Sequence, residues 1–171
     1  TNAHVELVTF TGGVAIGKYI ASKAGYRRMV LELGGNDPLI VMEDADIDEA
    51  SSLAVAGSYK NSGQRCTAVK RMLVHEAVAD QFVEQVVAKT RAWAYGDPSD
   101  RKVDMGTVID EAAAKFFESR VNDAIAQGAK LLVGNQRRGA LYAPTVVDQV
   151  RPEMLLVKEE TFGPVSPIIR F

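Results

Sequence analysis

Three observations predict an α/β fold with parallel strands. Short β-branched and aromatic runs alternate with helical patterns of about 10 to 17 residues. Glycines and capping acids stand at the junctions between them. One run, residues 38–42 (PLIVM), is apolar throughout, as a strand covered on both faces would be.

The elements follow in order. Residues 4–10 (HVELVTF) read as a strand and turn at Thr11-Gly12-Gly13. A helix is expected over 14–24, with Ile16, Tyr19, Ile20 and Lys23 at helical spacing and Gly25 closing it. Residues 28–33 (RMVLEL) form a second strand, stopped by Gly34 and Gly35, and 38–42 a third, buried on both faces. Asp46 stands where it can cap a helix over 47–59, with Asp48 and Glu49 in the first turn, where the helix dipole favours acids. After a polar loop at 61–66 come a strand at 71–75 and a helix over 78–93 with Phe82, Val83, Val86 and Val87 on one face. Asp97-Pro98-Ser99-Asp100 is a turn cluster. Asp110 can cap a helix over 111–127, ended by Gly128. Short strands are expected at 131–133, 142–147 and 154–157, and Gly163-Pro164 breaks the chain before a last strand at 165–171. A domain boundary is expected near Gly34-Gly35.

Composition narrows the function. The 171 residues suit one domain, or one domain and part of a neighbour. Apolar residues at 47% and charged residues at 25% exclude a disordered or collagen-like chain. With 20 basic against 22 acidic residues the chain has no basic footprint for nucleic acid or an anionic membrane. No apolar run approaches the roughly 20 residues that a bilayer requires. Both ends read as cut from a longer polypeptide: the chain starts without Met and stops inside an apolar run. One cysteine makes no internal disulfide, and with His4 and His75 alone beside it a four-ligand metal site is not expected. A reducing, cytoplasmic location fits.

Four segments could carry chemistry. Gly12-Gly13-x-x-x-Gly17 lies between strand and helix, where backbone amides can meet a phosphate, or where glycine merely serves a tight turn. It is not the G-x-G-x-x-G spacing, although Glu32, 20 residues after Gly12, stands where that fingerprint places a ribose-binding acid. Cys66 sits in an open polar segment behind Arg65, whose guanidinium favours a thiolate nucleophile. Glu32 ends an apolar strand against two glycines, where a low-dielectric cleft would suit a general base. Glu159-Glu160-Thr161-Phe162-Gly163-Pro164 groups two carboxylates that could bind ribose hydroxyls with an aromatic that could stack on a flat ring. His4 and His75 lack any motif, which speaks against a cysteine hydrolase; His75 reads as structural.

Together these motifs resemble the NAD(P)-dependent aldehyde dehydrogenase superfamily. Phe10-Thr11-Gly12-Gly13, Leu31-Glu32-Leu33-Gly34-Gly35, Gly63-Gln64-Arg65-Cys66 and the 159–164 segment occur in that family's order, and the 34-residue step from Glu32 to Cys66 fits as well. The resemblance implies a three-layer α/β/α fold with a mostly parallel sheet, truncated at both ends. Residues 1–33 would end the NAD(P)-binding domain and 34–171 would belong to the catalytic domain. It implies Cys66 as nucleophile and Glu32 as the base that activates water. It places Gly12 and Gly13 near the cofactor pyrophosphate, the Leu33 carbonyl on the carboxamide, Glu160 on the nicotinamide ribose and Phe162 beside the nicotinamide ring. Gly13 departs from the Ser of many relatives. NAD or NADP would be the cofactor, and the parent would be a homo-oligomer, dimer or tetramer. The oxyanion-hole asparagine would precede Thr1, so the isolated chain would bind cofactor weakly. Arg65 resembles the branches that oxidise anionic aldehydes, phosphonoacetaldehyde or glyceraldehyde 3-phosphate, where it would clamp the phosphonate or phosphate. The alternative is a structural fragment, or a dinucleotide-binding module without chemistry.

Overall fold

The computed structural model describes residues 2–171 and divides into two compact units, one running through Gly35 and one spanning Asn36–Phe171. In the first unit β1 (Leu7–Thr11), α1 (Val14–Ala24) and β2 (Arg28–Glu32) form one parallel crossover, with Leu7 opposite Arg28 and Thr11 opposite Glu32. Parallel pairing demands such a crossover, and α1 supplies it. Helix and strand close tightly where Gly17 meets Leu33: a Cβ there would stand 2.5 Å from Leu33 Cδ2.

The second unit contains β3 (Pro38–Val41), α2 (Ile47–Tyr59), β4 (Arg71–Val74), α3 (Glu76–Ala92), α4 (Glu111–Ala126), β5 (Lys130–Val133), β6 (Arg137–Arg138), β7 (Leu141–Tyr142), β8 (Thr145–Asp148), α5 (Leu155–Lys158) and β9 (Val165–Arg170). Five strands pair in the order β3-β4-β9-β8-β5; all contacts are parallel except β5 with β8. The strand period of two builds three layers. Met72, Val74, Val146 and Ile168 face α2 and α3, where Val55, Phe82 and Val86 cover them. Leu73, Val147, Val165 and Ile169 face the other way, toward Phe117 and Val121 of α4 and Leu156 of α5.

The caps form as their residue types dictate. Asp46 accepts from the Asp48 and Glu49 amides at 3.0 and 3.1 Å, and Asp110 from the Ala113 amide at 2.7 Å. Helix α3 starts earlier than its apolar period indicates, because the His75 Nδ1 accepts from the Ala77 amide and caps it. Three expectations are corrected. Residues 154–157 are not a strand; a short apolar run does not distinguish the two periods, and α5 turns there to bury Leu156 and Val157. The single strand at 142–147 is broken between β7 and β8 at Ala143-Pro144, where proline lacks the ladder donor. Residues 38–42 are not covered on both faces: β3 is an edge strand, and Ile40 is 59% exposed.

Tyr59 ties the layer of α2 to the sheet. Its hydroxyl donates to the Thr145 carbonyl and accepts from Thr90 Oγ1 and Ser166 Oγ (2.9 Å). Full burial pushes its pKa up from 10.0 to about 12. The folded state therefore favours the neutral phenol. That contribution is present below pH 10 and is lost as pH rises through about 12. The melting temperature should fall over that window, and Tyr59→Phe should flatten the fall. At neutral pH the variant should be about 1–3 kcal/mol less stable, because two buried hydroxyls lose their acceptor.

Candidate active site

The site in the second unit begins with an unusual turn. Asn61, Ser62 and Gly63 adopt φ of 56, 55 and 69°, a left-handed turn directly before Gln64-Arg65-Cys66. Two of these residues carry a Cβ and are strained there. Side-chain bonds hold the strain in place. Asn61 Nδ2 donates to the Gln64 carbonyl at 3.1 Å, and Ser62 Oγ donates to the Gly106 carbonyl at 3.2 Å. Gln64 Oε1 accepts from the Ile109 amide at 2.8 Å. Gly63 has no alternative: a Cβ would stand 2.2 Å from the Gly163 carbonyl oxygen, so the turn lies directly on the 160–164 segment.

Cys66 emerges from this turn as an exposed free thiol. Arg65 beside it is half-buried. Its Nη2 donates to the Gly57 carbonyl at 2.7 Å, and its Nε is buried without a partner. The contact is to a helix carbonyl of α2 rather than to a carboxylate.

The acidic pair in 159–164 splits. Glu159 pairs with Arg120, whose Nη1 also donates to the Leu155 carbonyl at 3.0 Å. Glu160 turns the other way and pairs with Lys70 at 3.2 Å. The two carboxylates therefore do not act together, as the sequence had suggested; only Glu160 faces the adjoining cavity. That cavity is open, encloses about 600 Å³, and is lined by Gln64, Ile109, Phe116, Phe117, Glu160 and Phe162. Phe162 is held at φ 56° and is 41% exposed. Thr161 Oγ1, also on the wall, is buried without a partner. An aromatic face and a carboxylate thus edge a largely apolar hollow.

The remaining candidates lie in the first unit. Glu32, at the end of β2, is exposed, so the low-dielectric cleft expected around it is not built by its own unit. Among the described residues β2 pairs with β1 alone, and four of its five residues are exposed. The Gly12 amide donates to the Glu32 carbonyl at 3.0 Å. Gly13 caps α1 in extended conformation, with nothing within 4 Å of an added Cβ. Leu33 is half-buried beside Gly17. Among the described residues no group of three or more His, Cys, Asp or Glu is placed to hold a metal, and no helix is long and apolar enough to cross a membrane.

The model of the aldehyde dehydrogenase family matches residues 1–171. The chain belongs to that family. It is 41% identical to the sulfoacetaldehyde dehydrogenase of Neptuniibacter caesariensis, over 99% of this chain and 38% of that protein. It is 42% identical to the lactaldehyde dehydrogenase of Methanocaldococcus jannaschii, over 99% and 36%. The crystal structure of NADP-dependent glyceraldehyde-3-phosphate dehydrogenase from Bacillus halodurans C-125 complexed with NADP superimposes with a TM-score of 0.96 at 45% identity, over 99% of this chain and 36% of that one. The chain thus spans somewhat over a third of the length of these family members. The three-layer, mostly parallel α/β fold expected of the family is the one found.

Sequence reasoning missed Lys70, the Gly57 carbonyl that holds Arg65, and the Ile109, Phe116 and Phe117 wall. Ile109, Phe116 and Phe117 join the site only through long-range packing, while Gly57 and Lys70 lie within eight residues of Arg65 and Cys66, which they meet, but show their roles only once side chains are placed. The left-handed turn yields a stability test. Gly63→Ala should lower the urea unfolding midpoint by the equivalent of about 2–4 kcal/mol, combining backbone strain with a clash against a carbonyl.

Proposed function

We propose that this chain is the nucleophile-bearing part of an NAD(P)-dependent dehydrogenase that oxidises an aldehyde, preferentially an anionic one, to a carboxylate. The observation that carries the reading is the exposed Cys66 thiol, presented by a braced left-handed turn next to a cavity edged by Glu160 and Phe162. Residues through Gly35 then end the cofactor-binding part, and Asn36–Phe171 belong to the catalytic part.

In this reading the Cys66 thiolate adds to the aldehyde carbon and forms a thiohemiacetal. The Cys66 backbone N–H helps to bind the developing oxyanion. Bound NAD(P)+ would supply the oxidant, taking the hydride from the thiohemiacetal carbon so that a Cys66 thioester is left. Glu160 would hold the ribose hydroxyls and Phe162 would flank the ring. The Leu33 carbonyl would serve the carboxamide, and Gly12 and Gly13, at the head of α1, the pyrophosphate. Glu32 takes a proton from water as it attacks the Cys66 thioester, which releases the carboxylate.

Arg65 supplies the substrate preference. It precedes the nucleophile in the chain, and the Gly57 carbonyl that holds Nη2 leaves Nη1 for an anion. The names of two of the relatives above carry a sulfo or phosphate group, and the third is named for an uncharged aldehyde.

Three tests apply to the full-length protein. Cys66→Ser should abolish formation of reduced cofactor. Glu32→Gln should leave a single-turnover burst of reduced cofactor but slow steady turnover about 100- to 10,000-fold. A Glu32→Gln enzyme cycling at the wild-type rate would remove Glu32 from the mechanism. Arg65→Ala should raise KM about 10- to 100-fold more for phosphonoacetaldehyde or glyceraldehyde 3-phosphate than for an uncharged aldehyde, the equivalent of one lost charge-assisted contact. Equal effects on both classes would show that Arg65 serves the turn alone.

A further inference from the structure

Lys70 has no part in the chemistry above, yet it touches three pieces of the site. It precedes β4, and its amide is fixed by the Asp37 carbonyl at 3.0 Å. Its side chain is only 5% exposed. From there Nζ donates to the Cys66 carbonyl at 2.7 Å, pairs with Glu160 Oε1 at 3.2 Å, and stands 5.8 Å from the centroid of the Phe162 ring. An ammonium has three donors, and these three partners match them.

We propose that Lys70 is a positioning residue, tying the turn that presents Cys66 to the segment that presents Glu160 and Phe162. The proposal rests on the dehydrogenase reading and adds to it how nucleophile and cofactor-facing groups are kept in register. The physical argument is one of cost. A buried ammonium loses its hydration, and an apolar side chain of the same length would fill the space as well or better. Glu160 remains 26% exposed and can be solvated without its partner. Stability alone therefore gives little reason for a lysine here. What an apolar residue cannot do is hold a carbonyl and a carboxylate at one point. Since reacting groups must meet within fractions of an ångström, such a tie acts on rate and on cofactor affinity together.

The test compares full-length wild type with Lys70→Met, Lys70→Arg and Glu160→Gln. Four quantities are measured: melting temperature, Kd for NADP+ by titration calorimetry, kcat and KM with an aldehyde, and the rate of Cys66 alkylation by iodoacetamide without cofactor. Lys70→Met should melt close to wild type, while Kd for NADP+ rises and kcat falls, each about 10- to 100-fold. Lys70→Arg, which can still reach a carbonyl and a carboxylate, should return both to within about threefold of wild type. Glu160→Gln should alter Cys66 alkylation at least about threefold through the lysine they share. A Lys70→Met protein with wild-type Kd and kcat overturns the proposal and leaves the dehydrogenase reading standing. If Lys70→Met does not fold, the Glu160→Gln arm decides, and an unchanged alkylation rate overturns the tie. If wild type binds no NADP+ and oxidises no aldehyde, the dehydrogenase reading fails, and the alkylation arm alone decides whether the two segments are coupled.

Discussion

The site depends on one close approach of backbone to backbone. Gly63 lies against the Gly163 carbonyl with no space for a side chain between them. Gly163 is confined in turn, since a Cβ there would stand 2.6 Å from the Phe117 ring. Two segments 100 residues apart in sequence are thereby fixed together, with α4 behind them. Everything that follows in the second unit is arranged around that contact: the left-handed turn, the exposure of Cys66 and the direction of Glu160.

Local strain and long-range order are linked through it. Asn61, Ser62 and Phe162 hold positive φ, a conformation that costs of order 1–3 kcal/mol at a non-glycine residue. None would hold it in an isolated peptide. They persist because the five-stranded sheet fixes both ends: β4 begins nine residues after Ser62, Arg71 Nε is bound to the Asn36 carbonyl, and β9 begins just after Pro164. Helices on both faces make the sheet rigid enough to impose that geometry, and the result is a thiol held out on a turn rather than folded into the core.

How much of this the sequence disclosed depends on the range of the interaction. Asp46 and Asp110 were legible because a cap acts over three residues. The motif around Cys66 was legible as a resemblance, and its openness followed from its polar neighbours. Residues 154–157 were not, because four residues do not establish a period, and 38–42 were not, because an edge position depends on which strands pair. The role of Lys70 is set by a partner 90 residues away, and no local pattern encodes it. Glu159 and Glu160 look alike in the sequence; only the positions of Arg120 and Lys70 separate them.

That separation also decides how charge is spread along the 159–164 segment. Two adjacent carboxylates without cations beside them would repel each other. Here each is offset by its own cation, Glu159 by Arg120 and Glu160 by the buried Lys70. Arg65 is engaged by a carbonyl, which carries no net charge and leaves the guanidinium's positive charge uncompensated by that contact. The sequence around Cys66 therefore contributes a cation on each side, Arg65 before it and Lys70 after it, of which Lys70 is paired and structural in reach while Arg65 retains its field. A lysine in place of Arg65 would not reproduce this. Anchored through its single nitrogen to Gly57, it would have no second nitrogen to offer, whereas arginine held at Nη2 still keeps Nη1.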